Sequence, residues 1–232
     1  MSKLHKQPAL SIIVPVLDEA DHISSALTAL VPLRARGAEI IVVDGGSADN
    51  TVALATPLAD RVIASARGRA TQMNAGAAAA RGDVLLFLHA DTRLPVDADR
   101  LILDGLARSR RAWGRFDVTI DSEHPLLPLV AASMNMRSRL TGIATGDQAM
   151  FATREAFDAV GGFPEIALME DITLAQNLKR MSPPLCLRAC VTTSGRRWER
   201  RGVLRTVLLM WRLRLAYFFG ADPNDLRRRY EA

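Results

Sequence analysis

Four short polar clusters in this chain combine residue types that handle phosphates, cations and protons. His89-Ala90-Asp91-Thr92 follows the apolar run Val84-Leu85-Leu86-Phe87-Leu88. Residues two apart on an extended backbone point the same way, so His89 and Asp91 can face one divalent cation and the diphosphate it neutralises. A hard ion such as Mg2+ or Mn2+ keeps several waters and takes one or two carboxylates beside phosphate oxygens, so Asp91 alone suffices as the protein ligand. Asp44-Gly45-Gly46-Ser47-Ala48-Asp49-Asn50-Thr51 runs from a strand end into a helix start. An acid such as Asp44 can there accept hydrogen bonds from a base or ribose, and Gly46 lets a ligand approach the backbone. Arg67-Gly68-Arg69 opens a helix that continues through Asn74, an electropositive start in which Arg69 and Asn74 are candidates for holding a nucleotide. Met169-Glu170-Asp171 opens another helix, where a carboxylate can serve as general base toward a hydroxyl group. Taken singly, each cluster also fits a plainer role: a capped turn, a solvated arginine, or acids that complement a helix dipole.

The elements that must position these clusters alternate along the first half of the chain. Leu10 to Val16, Glu39 to Asp44, Arg61 to Ala64 and Val84 to His89 read as strands; Ala20 to Leu33, Asn50 to Leu58, Arg69 to Ala80 and Asp97 to Arg108 read as helices. This is the pattern of repeated βαβ units in an α/β fold with a largely parallel sheet. Uninterrupted runs such as Ile40-Ile41-Val42-Val43 predict strands buried on both faces. Asp18-Glu19, Asp44 to Asp49 and His89 to Thr92 all follow strands, and open α/β sheets bind ligands outside their carboxyl ends. The clusters are therefore expected to converge on one crevice. No G-x-G-x-x-G follows the first strand, which excludes the dinucleotide fingerprint. Past Trp113 the pattern is less regular, with a strand to Ile120, a helix from Leu126 to Leu140, and a helix from Ile172 to Arg180.

With 232 residues, 49% apolar and 24% charged, the chain suits one globular domain and excludes disordered and fibrous classes. Two cysteines, Cys186 and Cys190, make neither a disulfide scaffold nor a zinc site, and are expected as buried thiols. Met1 to Gln7 has lysines but no apolar stretch, so a cytoplasmic location is expected. The net charge of +5 resides in the tail, where Gly195 to Ala232 holds ten arginines against four acids. Such a tail suits an anionic acceptor or an anionic membrane surface. It lacks the interleaved aromatic pairs of an RNA-binding module, so no nucleic acid partner is expected. Val203 to Phe219 is the most apolar segment, but Arg205, Arg212 and Arg214 make it a poor span. At 100° per residue Arg214 falls opposite the other two, and peripheral membrane contact, packing on the domain or a homodimer contact all remain open.

Ser11-Ile12-Ile13-Val14-Pro15 with Asp18-Glu19, the Ile41 to Thr51 stretch, His89-Ala90-Asp91 and Glu170-Asp171 together resemble the family-two inverting glycosyltransferases. Phe87 to Thr92 with Ser194-Gly195-Arg196-Arg197-Trp198 resembles a small bacterial subgroup linked to arsenosugar biosynthesis. The resemblance implies a GT-A fold: a Rossmann-like, mostly parallel sheet with flanking helices, here ending in an apolar and basic helix. It implies a nucleotide-binding half at about 8–112, an acceptor half at about 113–195 and a helical tail at about 196–232. It further implies metal-assisted transfer, with Mn2+ or Mg2+, from a nucleotide-sugar donor, a UDP-sugar by analogy, to a hydroxyl acceptor. Pro15 and Glu19 would lie by the nucleotide, Asp44 at the base, and Ser47 near base or ribose. Asp91 would be the metal ligand and Asp171, beside Glu170, the base. The sequence departs from the family's D-x-D by placing His89 at the first acid. Competing readings are a non-catalytic nucleotide-sugar-binding or membrane-docking protein and a sugar nucleotidyltransferase. Retained Asp91 and Asp171 argue against the first, and Val16-Leu17-Asp18-Glu19 in place of a Gly-rich basic loop argues against the second.

Overall fold

In a computed structural model, which describes residues 7–231, the chain begins with four strands that lie side by side and parallel. β1 (Leu10–Val16) is central, flanked by β2 (Glu39–Asp44) and β4 (Val84–Phe87), with β3 (Arg61–Ala64) outside β2. Residues 1–6, which bear on the expectation for the amino terminus, lie outside the described residues. Helices α1 (Ala20–Thr28), α2 (Val31–Ala35), α3 (Thr51–Ala55) and α4 (Arg69–Ala79) make the crossovers. The expected helix over 20–33 is broken near Leu30 because Pro32, lacking an N–H, sits at the start of a new helix. Pro57 likewise stops α3 short of Leu58.

β1 alternates between two cores. Leu10, Ile12, Val14 and Val16 join Ile23 and Leu27 of α1 on one face, while Ile13 joins Ile41, Val43 and Met73 of α4 on the other. The uninterrupted apolar strands thus fill both faces, as a sheet covered on two sides requires. α4 packs close because of Gly76, where a Cβ would lie 2.4 Å from Ile13 Cγ2. At 11 residues α4 is long enough to reach from the crevice to the far end of the sheet.

The rest of the sheet is mixed rather than parallel. β5 (Thr92–Arg93) and α5 (Ala98–Ser109) precede β6 (Trp113–Asp121), α6 (Leu127–Thr141) and a 3-10 turn at Gly146–Gln148. β7 (Phe151–Thr153) pairs antiparallel with both β4 and β6, joining the halves in one eight-stranded sheet of order β3-β2-β1-β4-β7-β6-β8-β5. α7 (Arg154–Ala159) and α8 (Glu170–Met181) lead to β8 (Leu185–Ser194), parallel to β6. Cys190 on β8 is exposed and Cys186 only half-buried, which corrects the expectation of buried thiols: this strand runs near the sheet's margin, and its outer part is uncovered.

The tail forms α9 (Arg196–Arg201), α10 (Val203–Phe218) and α11 (Pro223–Glu231). Leu213 of α10 and Leu226 of α11 bury against Met169 and Ile172 at the start of α8. Tyr217 Oη lies 2.6 Å from Thr173 Oγ1. The apolar segment therefore packs on the domain along one side. Among the described residues no helix is long and apolar enough to cross a membrane.

Candidate active site

A cavity of about 680 Å3 opens at the carboxyl ends of β1 and β4, between α4, α8 and the two last helices. Pro15, Glu19, Arg69, His89, Asp91, Glu170 and Asp171 all line it, so seven residues singled out from the sequence converge on one crevice. Polar atoms cross-link the loops after β1 and β2. The Asp18 N–H donates to Ser47 Oγ at 2.9 Å, and the Ala48 N–H returns a bond to Asp18 Oδ1 at 2.8 Å. The Glu19 N–H donates to Thr51 Oγ1 at 2.8 Å. Asp18 takes the left-handed conformation (φ 52°) to make this turn, which short side chains with local hydrogen bonds tolerate best. The result is that Glu19 is held half-buried at the mouth of the cavity.

Asp44, Gly46 and Ser47 do not line that cavity. The Asp44 carboxylate accepts from the Gly46 N–H (3.0 Å), the Ser47 N–H (3.1 Å) and Ser47 Oγ (2.5 Å), so its acceptors hold the loop's own shape. These bonds brace the loop, and the expected contact of these residues with a base or ribose stands as an expectation beside them. Asn74 does not line the cavity either. Its Nδ2 donates to the Phe163 carbonyl and its Oδ1 accepts the Phe163 N–H, both at 2.9 Å, which clamps α4 to the segment before α8. Both ends of the amide are used, and the side chain lies away from the cavity because its face of α4 meets Phe163.

Asp91 is exposed, on a backbone pinned from both sides. Its carbonyl accepts the Ser194 N–H at 3.2 Å, and Thr92 pairs with Thr193 of β8. Burial pushes the Glu19 carboxyl up from its ordinary value, and the negative charge of Asp91 pushes it further, opposed by Arg196 and His22. Two carboxylates therefore face one another across this part of the site. His89 is packed against Gly146, where any Cβ would lie 2.6 Å from the ring, and its Nδ1 is 3.5 Å from Asp147 Oδ1. Among the described residues no three His, Cys, Asp or Glu side chains form a metal-holding group.

Across the cavity, α8 starts from Met169, a non-glycine residue in the left-handed conformation (φ 72°). Strain of this kind persists where the surrounding structure enforces it and often sits at functional sites. Glu170, the first residue of the helix, is buried (3% exposed) with Arg69 Nη1 3.6 Å from its Oε1. Burial first, then the Asp171 charge, push the Glu170 carboxyl above the usual glutamate range. Asp171 accepts the Gly146 N–H at Oδ2 and the Ile172 N–H at Oδ1, each at 2.7 Å. Each carboxylate oxygen retains a lone pair. The carboxylate is thus fixed in direction and half-exposed to the cavity.

Sequence reading missed the far wall. Thr206, Met210 and Arg214 of α10 and Asn224, Arg227 and Tyr230 of α11 line the cavity, as does Trp198 of α9. The side chain of Arg197 lies outside the described residues. One signal was present: Arg214 falls on the opposite side of its helix from Arg205 and Arg212.

The model of the family described as Glycosyl transferase family 2 matches residues 11–161, well over half of the chain. A search of curated proteins finds no significant match. Among solved structures, S. aureus TarS 1-349 in complex with UDP-GlcNAc superposes with a TM-score of 0.67 at 16% identity, covering 80% of this chain and 58% of that one. The mannosyltransferase PcManGT from Pyrobaculum calidifontis, in complex with GDP-Man and Mn2+, gives 0.66 at 20% identity over 97% of this chain and 69% of that one. Glucosyl-3-phosphoglycerate synthase from Mycobacterium tuberculosis, in complex with Mn2+, UDP and glucosyl-3-phosphoglycerate, gives 0.60 at 20% identity over 81% and 71%. At these identities the likeness is one of fold, the GT-A fold expected from the sequence. The chain spans about three fifths of the length of the TarS 1-349 structures.

Proposed function

The chain belongs to glycosyl transferase family 2, and on that premise we propose that it moves a sugar from a UDP-sugar donor to a hydroxyl acceptor with inversion at the anomeric carbon. The observation that carries this reading is the placement of Asp91 and Asp171 on one cavity at the carboxyl ends of the parallel strands. The nucleotide-binding half is assigned to about 8–112, the acceptor half to about 113–195 and the helical tail to about 196–232. The small subgroup that the Phe87 to Thr92 and Ser194 to Trp198 motifs resemble is kept as the narrower assignment.

The donor diphosphate would sit between Arg69 at the start of α4 and the Glu19–Asp91 edge. Asp91 suits a divalent cation: it is exposed to the cavity, and its like-charged neighbour Glu19 leaves local negative potential for a cation to neutralise. When bound, Mn2+ or Mg2+ would offset the negative charge that builds on the departing diphosphate. Arg69 adds positive charge on the opposite side. Asp171, directed by Gly146 and Ile172, takes the proton of the acceptor hydroxyl as its oxygen attacks the anomeric carbon.

Thermal denaturation with UDP, GDP and dTDP, each with and without Mn2+, tests the donor reading. UDP with Mn2+ at a hundredfold excess over Kd is expected to stabilise by about 2.7 kcal/mol, or about 5–10 °C for a chain of this size. No shift with any nucleotide, metal present or absent, counts against it.

A second property of the tail follows from α10. Leu204, Leu208, Trp211, Leu215 and Phe218 recur at helical spacing and are all exposed, Trp211 by 65% and Phe218 by 79%. Arg205 and Arg212 run along one edge of this stripe and are exposed as well. A narrow apolar face with one cationic edge fits the surface of an anionic bilayer. Flotation with anionic liposomes at low salt, reversed at high salt, is the expected result. No flotation together with a dimer mass in sedimentation would assign the stripe to a second copy.

A further inference from the structure

The far wall of the cavity carries a guanidinium group, Arg214, that forms no ion pair with any described residue. Arg214 shares the cavity-facing side of α10 with Met210 and Thr206, four and eight residues earlier. Its Nε is buried and has no hydrogen-bond partner, and among the described residues Arg214 forms no ion pair. Behind it stands Arg137 of α6. The Nε and Nη2 of Arg137 are buried without partners, and its Nη1 reaches only the Ile143 carbonyl, at 3.4 Å. Burial first, and then the charge of Arg214, lower the Arg137 pKa to about 10; Asp171 opposes the shift and Arg115 adds to it. Arg115 is itself paired with Asp117. The carboxylate whose charge reaches Arg137, Asp171, is already bonded to two backbone N–H groups.

Buried guanidinium nitrogens without acceptors are costly, and the usual remedy is a carboxylate or phosphate whose oxygens match the planar fork. The position excludes the simplest occupant. On the proposed donor assignment the phosphates sit between Arg69 and Asp91, whereas Arg214 comes from α10, on the side of the cavity proposed for the acceptor. We propose that Arg214, backed by Arg137, is a subsite for an anionic group on the acceptor, which is therefore a hydroxyl compound bearing a phosphate or carboxylate. The inference rests on the donor and base assignments above. Arg214 makes the contact, and Arg137 acts as a positioning residue that keeps the site cationic.

The test titrates inorganic phosphate into the full chain saturated with UDP and Mg2+, for the wild type, Arg214→Gln and Arg214→Lys. Phosphate is expected to bind alongside UDP. Arg214→Gln should weaken phosphate by at least about tenfold, the scale of a lost charge-assisted contact, while UDP affinity stays unchanged and Arg214→Lys retains most of the phosphate affinity. A melting temperature at or above wild type confirms that Arg214→Gln folds, since it removes the repulsion with Arg137. Vesicles containing phosphatidate, with phosphatidylcholine vesicles as control, separate the sources. Binding of free phosphate assigns a soluble acceptor; Arg214-dependent capture by phosphatidate vesicles alone assigns a lipid headgroup. If phosphate and UDP displace one another, or Arg214→Gln weakens UDP to the same degree, Arg214 serves the donor and the proposal falls. It falls equally if neither free phosphate nor phosphatidate binds. Failure of UDP itself to bind strikes at the donor reading instead, and the phosphate arm is then read on the unloaded protein.

Discussion

Asp171→Asn is expected to leave UDP affinity at the wild-type level while lowering sugar transfer by about 10²-fold or more, the scale of losing a general base. That corresponds to about 2.7 kcal/mol of transition-state stabilisation. Asparagine keeps one carbonyl oxygen, which can still accept the Gly146 N–H in place of Oδ2, but its NH2 cannot accept the Ile172 N–H that Oδ1 holds, so a melting temperature is measured beside the rate. Asparagine does not, however, take up a proton. Release of UDP from a UDP-sugar with water as acceptor gives the rate, and a UDP titration gives the affinity. The neighbouring carboxyl supplies the comparison. Glu170 is buried against Arg69 and protonates more readily than an ordinary glutamate, because burial and the Asp171 charge both oppose its ionisation. Glu170→Gln should therefore retain far more turnover than Asp171→Asn. Wild-type turnover in Asp171→Asn with loss in Glu170→Gln would move the base by one residue, and full turnover in both would remove it from α8.

The parts legible in the sequence are those that topology alone determines. β1 and β2 appear at the expected boundaries because strands buried on both faces must be apolar throughout, and their ends are marked by abrupt polarity at Asp18 and Asp44; β3, a partly exposed edge strand, is bounded by Asp60 and Ser65. From parallel strands it follows that their carboxyl ends share an edge, which is why Glu19, His89 and Asp91 meet. β8 was not legible. It mixes Cys186, Arg188, Cys190 and Thr192 with apolar residues on a half-covered margin, so neither alternation nor a continuous apolar run emerges. Asn74 shows a different limit: a helix start can be read from Gly68 and Arg69, but which element its later turns will meet depends on the distant Phe163. Arg214 shows the converse. Its position opposite Arg205 and Arg212 looked like a flaw in an amphipathic surface helix, and it results from a helix with two environments, a cavity on one side and solvent on the other.

Asp91→Asn is the second large effect, and it separates a metal-assisted donor site from one that relies on arginine alone. The wild type should bind UDP more tightly with Mn2+ than without, and the variant should lose about 10- to 100-fold of that metal-dependent affinity, as expected for one charged contact of about 1.5–3 kcal/mol. Affinity for UDP in the absence of metal should be unchanged or slightly higher, because one of two carboxylates facing the diphosphate has gone. The fold should not suffer. Asp91 is exposed, its carbonyl bond from Ser194 is a backbone interaction, and Thr92 still pairs with Thr193 through β5 and β8. Removing its charge also relieves Glu19, whose raised pKa should move back toward the ordinary value. That second effect gives an independent check by NMR titration of the Glu19 carboxyl. Equal metal dependence in mutant and wild type, with the Glu19 titration shifted as described, would mean that Asp91 is where the structure puts it but that the cation sits elsewhere. The nearest replacement would then be Glu19 itself, and Glu19→Gln should abolish the Mn2+ effect that Asp91→Asn left intact.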